Sequence, residues 1–157
     1  DMYPDGYTFK VSENKDSQLL DGQYRPGHFD GVLSVVMKLF NILAPTRAYF
    51  GEKDFQQLTL IQNMTKAFFI PTQIVPVSTL REDDGLAMSS RNVRLSINER
   101  ALAPLIYKAL TNAANPAEAE KLLTEAGFKV DYVEEFWGRR FAAATLGNVR
   151  LIDNVKI

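Results

Sequence analysis

Four consecutive residues, Gly51-Glu52-Lys53-Asp54, combine a turn former, a mobile cation and the start of a helix. A glycine after a strand accepts backbone angles that other residues resist. A helix that opens there offers unpaired N–H groups and the positive end of its dipole. Lys53 sets a point charge beside them. Together these would seat a phosphate. Read plainly, the same run is a solvated strand-to-helix turn with Asp54 as its N-cap. Gln56 and Gln57 follow in the first turn, where one amide could face a ligand, donating and accepting at once, or simply meet water.

A second cluster is Met88-Ser89-Ser90-Arg91-Asn92. Two hydroxyls and a guanidinium in one loop suit phosphate oxygens, by neutral donors and by a charged fork; the same residues are also ordinary turn material. A third is Arg25-Pro26-Gly27-His28, at a helix start. His28 would either donate to a bound phosphate or hydrogen-bond a neighbouring backbone group. Asp30 reads as a helix-start cap rather than a metal ligand, and Asp83 and Asp84 as a charged turn. No acid–base pair, nucleophile or triad is evident. A reaction that needs mainly phosphate positioning and charge neutralisation can proceed without one.

The elements that must position these residues alternate in type. Tyr7 to Val11 reads as a short strand and Asp21-Gly22 as a turn. Val32, Val35, Val36, Leu39, Phe40 and Leu43 recur at helical spacing, giving a helix from about Phe29 to Ile42 that Pro45 ends. Ala48-Tyr49-Phe50 reads as a buried strand. A helix over Asp54 to Phe68 has Leu58, Ile61, Met64 and Phe68 facing inward, and Thr72 to Val77 is the next strand. This order points to a parallel sheet covered by helices. Ligands in such sheets sit beyond the carboxyl ends of the strands, where Gly51 and the loop after Thr79 fall. Arg81 to Gly85 is a charged turn leading to an ordered surface loop over Leu86 to Asn92.

The pattern changes after residue 94. Ser96 and Glu99 form a capping box for a helix to about Thr111. Asn115, Pro116 and Glu118 open another, which stops at Gly127. Three β-like runs follow, Lys129 to Glu134, Arg140 to Thr145 and Val149 to Asp153, with turns at Gly138 and Gly147. Two helices and a three-stranded antiparallel sheet are expected here.

Composition narrows the function classes. The chain has 157 residues, 46% apolar and 24% charged, which excludes a disordered or fibrous chain. A chain of this length buries roughly two-thirds of its unfolded surface, enough for one good core or two small ones. Lys plus Arg is 18 against 19 Asp plus Glu, so no broad basic field exists and a nucleic-acid partner is not expected. The lack of cysteine excludes disulfide scaffolds, thiolate metal sites and cysteine nucleophiles, and a single histidine excludes a histidine-rich metal site. No uncharged run approaches the roughly 20 residues of a membrane span, so a cytoplasmic chain with no membrane partner is expected. The opening Asp1-Met2-Tyr3-Pro4-Asp5-Gly6 reads as a loop entered midway, as in a fragment.

In this order the residues closely resemble the pantothenate synthetase (pantoate–β-alanine ligase) family. The matching stretches are RPGHFDGV at 25–32, AYFGEKDFQQL at 48–58, REDDGLAMSSRN at 81–92 and RLIDN at 150–154. The resemblance implies ATP-dependent condensation of pantoate and β-alanine through an enzyme-bound pantoyl adenylate, with Mg2+ accompanying ATP. It implies an α/β fold: part of a Rossmann-like domain of the class I adenylate-forming and nucleotidylyltransferase type over residues 1–92, then a small α+β lid over 93–157. It implies a homodimer. By the same resemblance Gly51, Glu52, Lys53 and Asp54 line the ATP site, and Gln57 holds pantoate. The Leu80 backbone meets the adenine, and Met88, Ser89, Ser90 and Arg91 form a KMSKS-like loop that closes on the triphosphate. Lys53, Ser89 and Arg91 would stabilise charge as pyrophosphate leaves.

His28 is carried as a substrate-binding candidate; it belongs to the RPGHF segment and does not match the family's HIGH-like histidine motif. The resemblance thus implies the carboxyl-terminal portion of such an enzyme, nearly inactive alone, with the other half of its sheet supplied by the complete protein or by another chain. The rival expectations are another nucleotidyl-transferring enzyme and a fragment that binds nucleotide without turnover.

Overall fold

The computed structural model describes residues 2–157; Asp1, first residue of the expected entering loop, lies outside the described residues. The chain divides after Val77 into two compact units, each with its own core.

In the first unit, a 3-10 turn at Asp16–Gln18 and a one-turn helix α1 (Asp21–Tyr24) precede the long helix α2 (His28–Leu43). The expected Asp21-Gly22 turn is therefore helical. Gly22 is required at that spot, because a Cβ there would fall 1.8 Å from the Ser17 carbonyl oxygen. The buried stripe of α2 is Phe29, Leu33, Val36 and Phe40. It is rotated from the expected one: Val32 and Val35 pack at its margin, while Leu39 and Leu43 are exposed. Ala44, in the left-handed region, closes the helix by donating to Phe40 O, and Pro45 prevents its continuation.

No strand forms over Tyr7 to Val11. That segment lies along α2 through other bonds: Val11 N donates to Ser34 Oγ at 2.8 Å, and Lys10 Nζ to Asp30 Oδ2 at 2.7 Å. Asp30 is thus an ion-pair partner, and Gly27 holds the N-cap position expected of it. The hydrogen bond from Lys10, opposed by desolvation, holds the Asp30 carboxyl below its ordinary range.

Strand β1 (Arg47–Gly51), helix α3 (Phe55–Ala67) and strand β2 (Gln73–Val77) follow. The two strands pair in parallel, with Arg47 opposite Gln73 and Gly51 opposite Val77, as the helix–strand alternation expects. Leu58, Ile61 and Met64 are buried as read from sequence, whereas Phe68 lies beyond the last helical turn and is exposed. β1 is not a buried strand: its exposure alternates along the chain, and Tyr49 is 63% exposed.

In the second unit, Arg81 and Ala87 form an isolated antiparallel bridge around the charged turn, and a 3-10 turn spans Asn92–Arg94. The Ser96–Glu99 capping box opens α4 (Ile97–Leu102). The single expected helix to Thr111 is two, because Pro104 has no N–H to continue the ladder; α5 (Leu105–Asn112) restarts after it. Asn115 caps α6 (Pro116–Glu125) by accepting from Glu118 N at 3.0 Å. Strands β3 (Lys129–Phe136), β4 (Arg139–Leu146) and β5 (Val149–Lys156) form an antiparallel sheet in that order, each a little longer than expected.

Its core joins Leu86, Ile106, Leu110 and Leu123 to Ala142 and Ala144 of β4, whose small side chains make room for helices against the sheet. Read from sequence, the boundary falls after residue 92. Segment 78–92 instead belongs to the second unit, because Leu86 enters this core and Arg81 pairs with Asp153 of β5. The architecture is α/β, with one parallel pair and one antiparallel sheet. Among the described residues, no helix is long and apolar enough to cross a membrane.

Candidate nucleotide site

Gly51 ends β1 with φ −72° and ψ 134°, an extended conformation open to any residue. The backbone freedom of glycine is therefore not what the turn uses. An ideal Cβ at Gly51 meets nothing within 4 Å, so glycine leaves a bare surface at the strand end. A 3-10 turn over Glu52–Asp54 then carries Lys53, half-buried, to the start of α3. Asp54 stands in the N-cap position, but its side chain accepts no bond from the helix. The plain capping role read from sequence is not realised.

The two glutamines of the first turn separate cleanly. Gln56 is buried, its Nε2 donating to Asp16 O at 2.9 Å and to Leu19 O at 2.7 Å, and its Oε1 accepting from Asp21 N at 3.2 Å. Both amide hydrogens are used to hold the turn before α1. Gln57, half-buried, is the glutamine left to face a ligand.

His28 opens α2, its ring 5.0 Å from that of Phe29. Its Nε2 lies 3.0 Å from Arg25 Nη1. A guanidinium only donates, so Nε2 is the acceptor in this contact. Nε2 is therefore spent inside the protein.

In the second unit, Leu80 and Met88 face each other across the hairpin, Met88 N donating to Leu80 O at 2.9 Å. Both side chains are exposed. Glu82 N donates to Leu86 O at 2.8 Å and Gly85 N to Glu82 O at 2.9 Å, which closes the charged turn. Asp84 accepts from Arg100 Nη1 at 2.6 Å. That bond, with a smaller contribution from Leu86 N and against desolvation, draws the Asp84 carboxyl below its ordinary value.

The Met88–Arg91 loop is shaped by its own polar groups. Ser89 Oγ accepts from Arg91 N at 3.2 Å, and Ser89 O from Asn92 N at 3.0 Å. Ser90 and Arg91 are exposed. Asn92, read from sequence as part of the phosphate-binding run, is buried and closes the loop by donating from Nδ2 to Ala87 O at 3.1 Å.

The candidates thus form two groups. Gly51, Glu52, Lys53, Asp54 and Gln57 occupy one run at the carboxyl end of β1, in the unit that also holds His28. Leu80 and Met88 to Arg91 are joined through the hairpin of the other unit. Sequence reading named Gln56 and Asn92 as residues that could face a ligand rather than as supports, and gave Asp153 no role. Only Asn92 carried a local signal, its place beside the loop. Among the described residues, no three acidic or histidine side chains gather as a metal cage.

A family model described as Pantoate-beta-alanine ligase matches residues 1–156. The pantothenate synthetase of Bdellovibrio bacteriovorus is 66% identical over 157 residues, 100% of this chain and 62% of that protein. That of Legionella pneumophila (strain Lens) is 53% identical over 154 residues, 98% of this chain and 61% of that protein. Among solved structures, pantothenate synthetase from Thermus thermophilus superposes with a TM-score of 0.91 at 38% identity, over 99% of this chain and 66% of that one. Pantoate-beta-alanine ligase from Francisella tularensis, complexed with beta-gamma ATP and beta-alanine, gives a TM-score of 0.92 at 40% identity, over 99% and 61%. The chain spans about three-fifths of the length of the curated relatives it matches.

Proposed function

The chain belongs to the pantoate–β-alanine ligase family, and we propose that it supplies ATP- and pantoate-binding segments to an enzyme that condenses pantoate with β-alanine, releasing AMP and pyrophosphate. The observation that carries this reading is the start of α3. The Asp54 side chain does not cap this helix start, Lys53 stands in the turn before it, and a bare glycine ends the strand that delivers the chain there. A polyphosphate fits that chemistry.

In the proposed reaction the pantoate carboxylate attacks the α-phosphorus of ATP, and the bond to the bridging oxygen breaks toward pyrophosphate. The β-alanine amine then attacks the acyl carbon of pantoyl adenylate, loses a proton and expels AMP. Lys53 and the α3 N–H groups hold the phosphate oxygens. Ser89, Ser90 and Arg91 donate to the departing pyrophosphate, where charge builds up as the bond breaks, so their bonds strengthen toward the transition state. Gln57 orients pantoate, the Leu80 backbone borders the adenine, and Met88 belongs to the loop that closes on the triphosphate. His28 is carried as a substrate-binding candidate, its Nε2 held by Arg25 at the start of α2.

The Francisella relative's complex with beta-gamma ATP and beta-alanine supports these ligands. Mg2+ enters as the ion that accompanies ATP, and no step above passes through it. The family likeness extends the proposal to a homodimer in the cytoplasm. It also makes the first unit part of a Rossmann-like nucleotide domain and the second unit, from Ser78, a small α+β domain.

Exchange of labelled pyrophosphate into ATP tests the first step on a purified full-length version that carries these residues. Exchange that requires pantoate is the expected result. Exchange independent of pantoate, or nucleotide binding without any exchange, would overturn the proposal.

A further inference from the structure

Arg81 and Asp153 are 72 residues apart in sequence and form a two-point fork: Nη1 donates to Oδ2 at 2.6 Å and Nη2 to Oδ1 at 3.0 Å. The Asp153 side chain is fully buried, and that of Arg81 is one-fifth exposed. Nη1 also reaches Gly85 O at 3.0 Å, on the far limb of the hairpin, and the guanidinium lies 3.9 Å over the Tyr107 ring. That ring comes so close to the hairpin that a Cβ on Gly85 would fall 2.6 Å from Tyr107 Cδ1. Asp153 Oδ1 is steadied in turn by Asn154 N at 2.8 Å.

This cluster grips both limbs of the hairpin at the Arg81–Ala87 bridge. The residue just before Arg81 is Leu80, and the residue just after Ala87 is Met88, the two joined by the Met88–Leu80 bond. A buried ion pair contributes little net stability over an apolar pair of the same volume, whereas its fork geometry fixes register. A slip of one residue here would carry Leu80 and the Met88–Arg91 loop out of step together.

Resting on the functional reading above, we propose that Asp153, acting through Arg81, is a positioning residue that sets the Leu80 backbone and the Met88–Arg91 loop in register for the nucleotide. Asp153 touches no ligand. It holds the guanidinium, and the guanidinium holds the hairpin.

The test uses Asp153→Asn, which keeps the shape and loses the charge, and the milder Arg81→Lys, which keeps the charge and loses the fork. In steady-state kinetics both variants are expected to raise the KM for ATP about tenfold or more while the KM for pantoate, bound through Gln57 in the other unit, stays within about twofold. Amide exchange should quicken at Met88 and keep wild-type protection at Ala142–Ala144 of β4. A purely structural role would instead raise both KM values together or loosen β4 as well, and that result overturns the proposal. Unchanged Met88 exchange, or faster exchange with an unchanged KM for ATP, overturns it too. Failure of the functional reading looks different: wild-type protein would then bind no ATP, and the inference would fall with it whatever Met88 shows.

Discussion

Replacing Gln56 by alanine removes an amide that makes three hydrogen bonds to buried or part-buried backbone, at 2.7, 2.9 and 3.2 Å. Each is worth about 1 kcal/mol net, and a buried backbone group left without a partner costs about 1–3 kcal/mol more. The Asp16 and Leu19 carbonyls sit at a turn where water can reach in part, so the loss should total about 3–4 kcal/mol. At roughly 4 °C per kcal/mol for a domain of this size, the melting temperature falls by roughly 12–16 °C. Its neighbour gives the contrast. Gln57→Ala disturbs no such network and should change stability by less than about 0.5 kcal/mol. Loss of a hydrogen bond to the charged pantoate, worth about 1.5–3 kcal/mol, should weaken pantoate binding about tenfold or more. Calorimetry, by thermal scan and by titration with pantoate, reads both quantities on both variants. Equal melting temperatures for the two, or a pantoate defect confined to Gln56→Ala, would refute the division of labour drawn from these distances.

Leu123 of α6 is fully buried in the second unit's core, so Leu123→Ala should cost about 2–5 kcal/mol in chemical denaturation, with a shallow loss only if the site collapses onto the cavity. The Asp84 carboxyl has its folded-state value lowered, first by the Arg100 hydrogen bond. Its stabilising contribution is therefore full above the unfolded value of 3.8 and lost as pH falls through the lower folded one. The side chain is 40% exposed, so the effect is small and screened by salt. Denaturant midpoints for wild type and Asp84→Asn should converge as the pH is lowered through that window and stay apart above it.

What was legible in the sequence was what neighbouring residues decide. The Ser96–Glu99 capping box and the Asn115–Glu118 cap form as read, because a cap is a contract between residues three apart. The parallel pairing of β1 with β2 follows from the alternation of helix and strand. Long-range partners were not legible. Nothing local says that Gln56 rather than Gln57 turns inward, since the choice rests on carbonyls of residues 16 and 19. Nothing near Arg81 names Asp153, so the hairpin's attachment to β5 and the division after Val77 stayed hidden. Gly51 misled by residue type: glycine suggests an unusual backbone angle, whereas here it only withholds a side chain. The α2 stripe was placed on the right helix but turned, because Leu39 and Leu43 are apolar and still exposed.

Amide hydrogen exchange during a titration with ATP tests most directly whether each candidate segment responds to the nucleotide. The expected result is slower exchange in residues 51–57 and in residues 88–92. A segment that gains no protection would contradict its assignment to ATP.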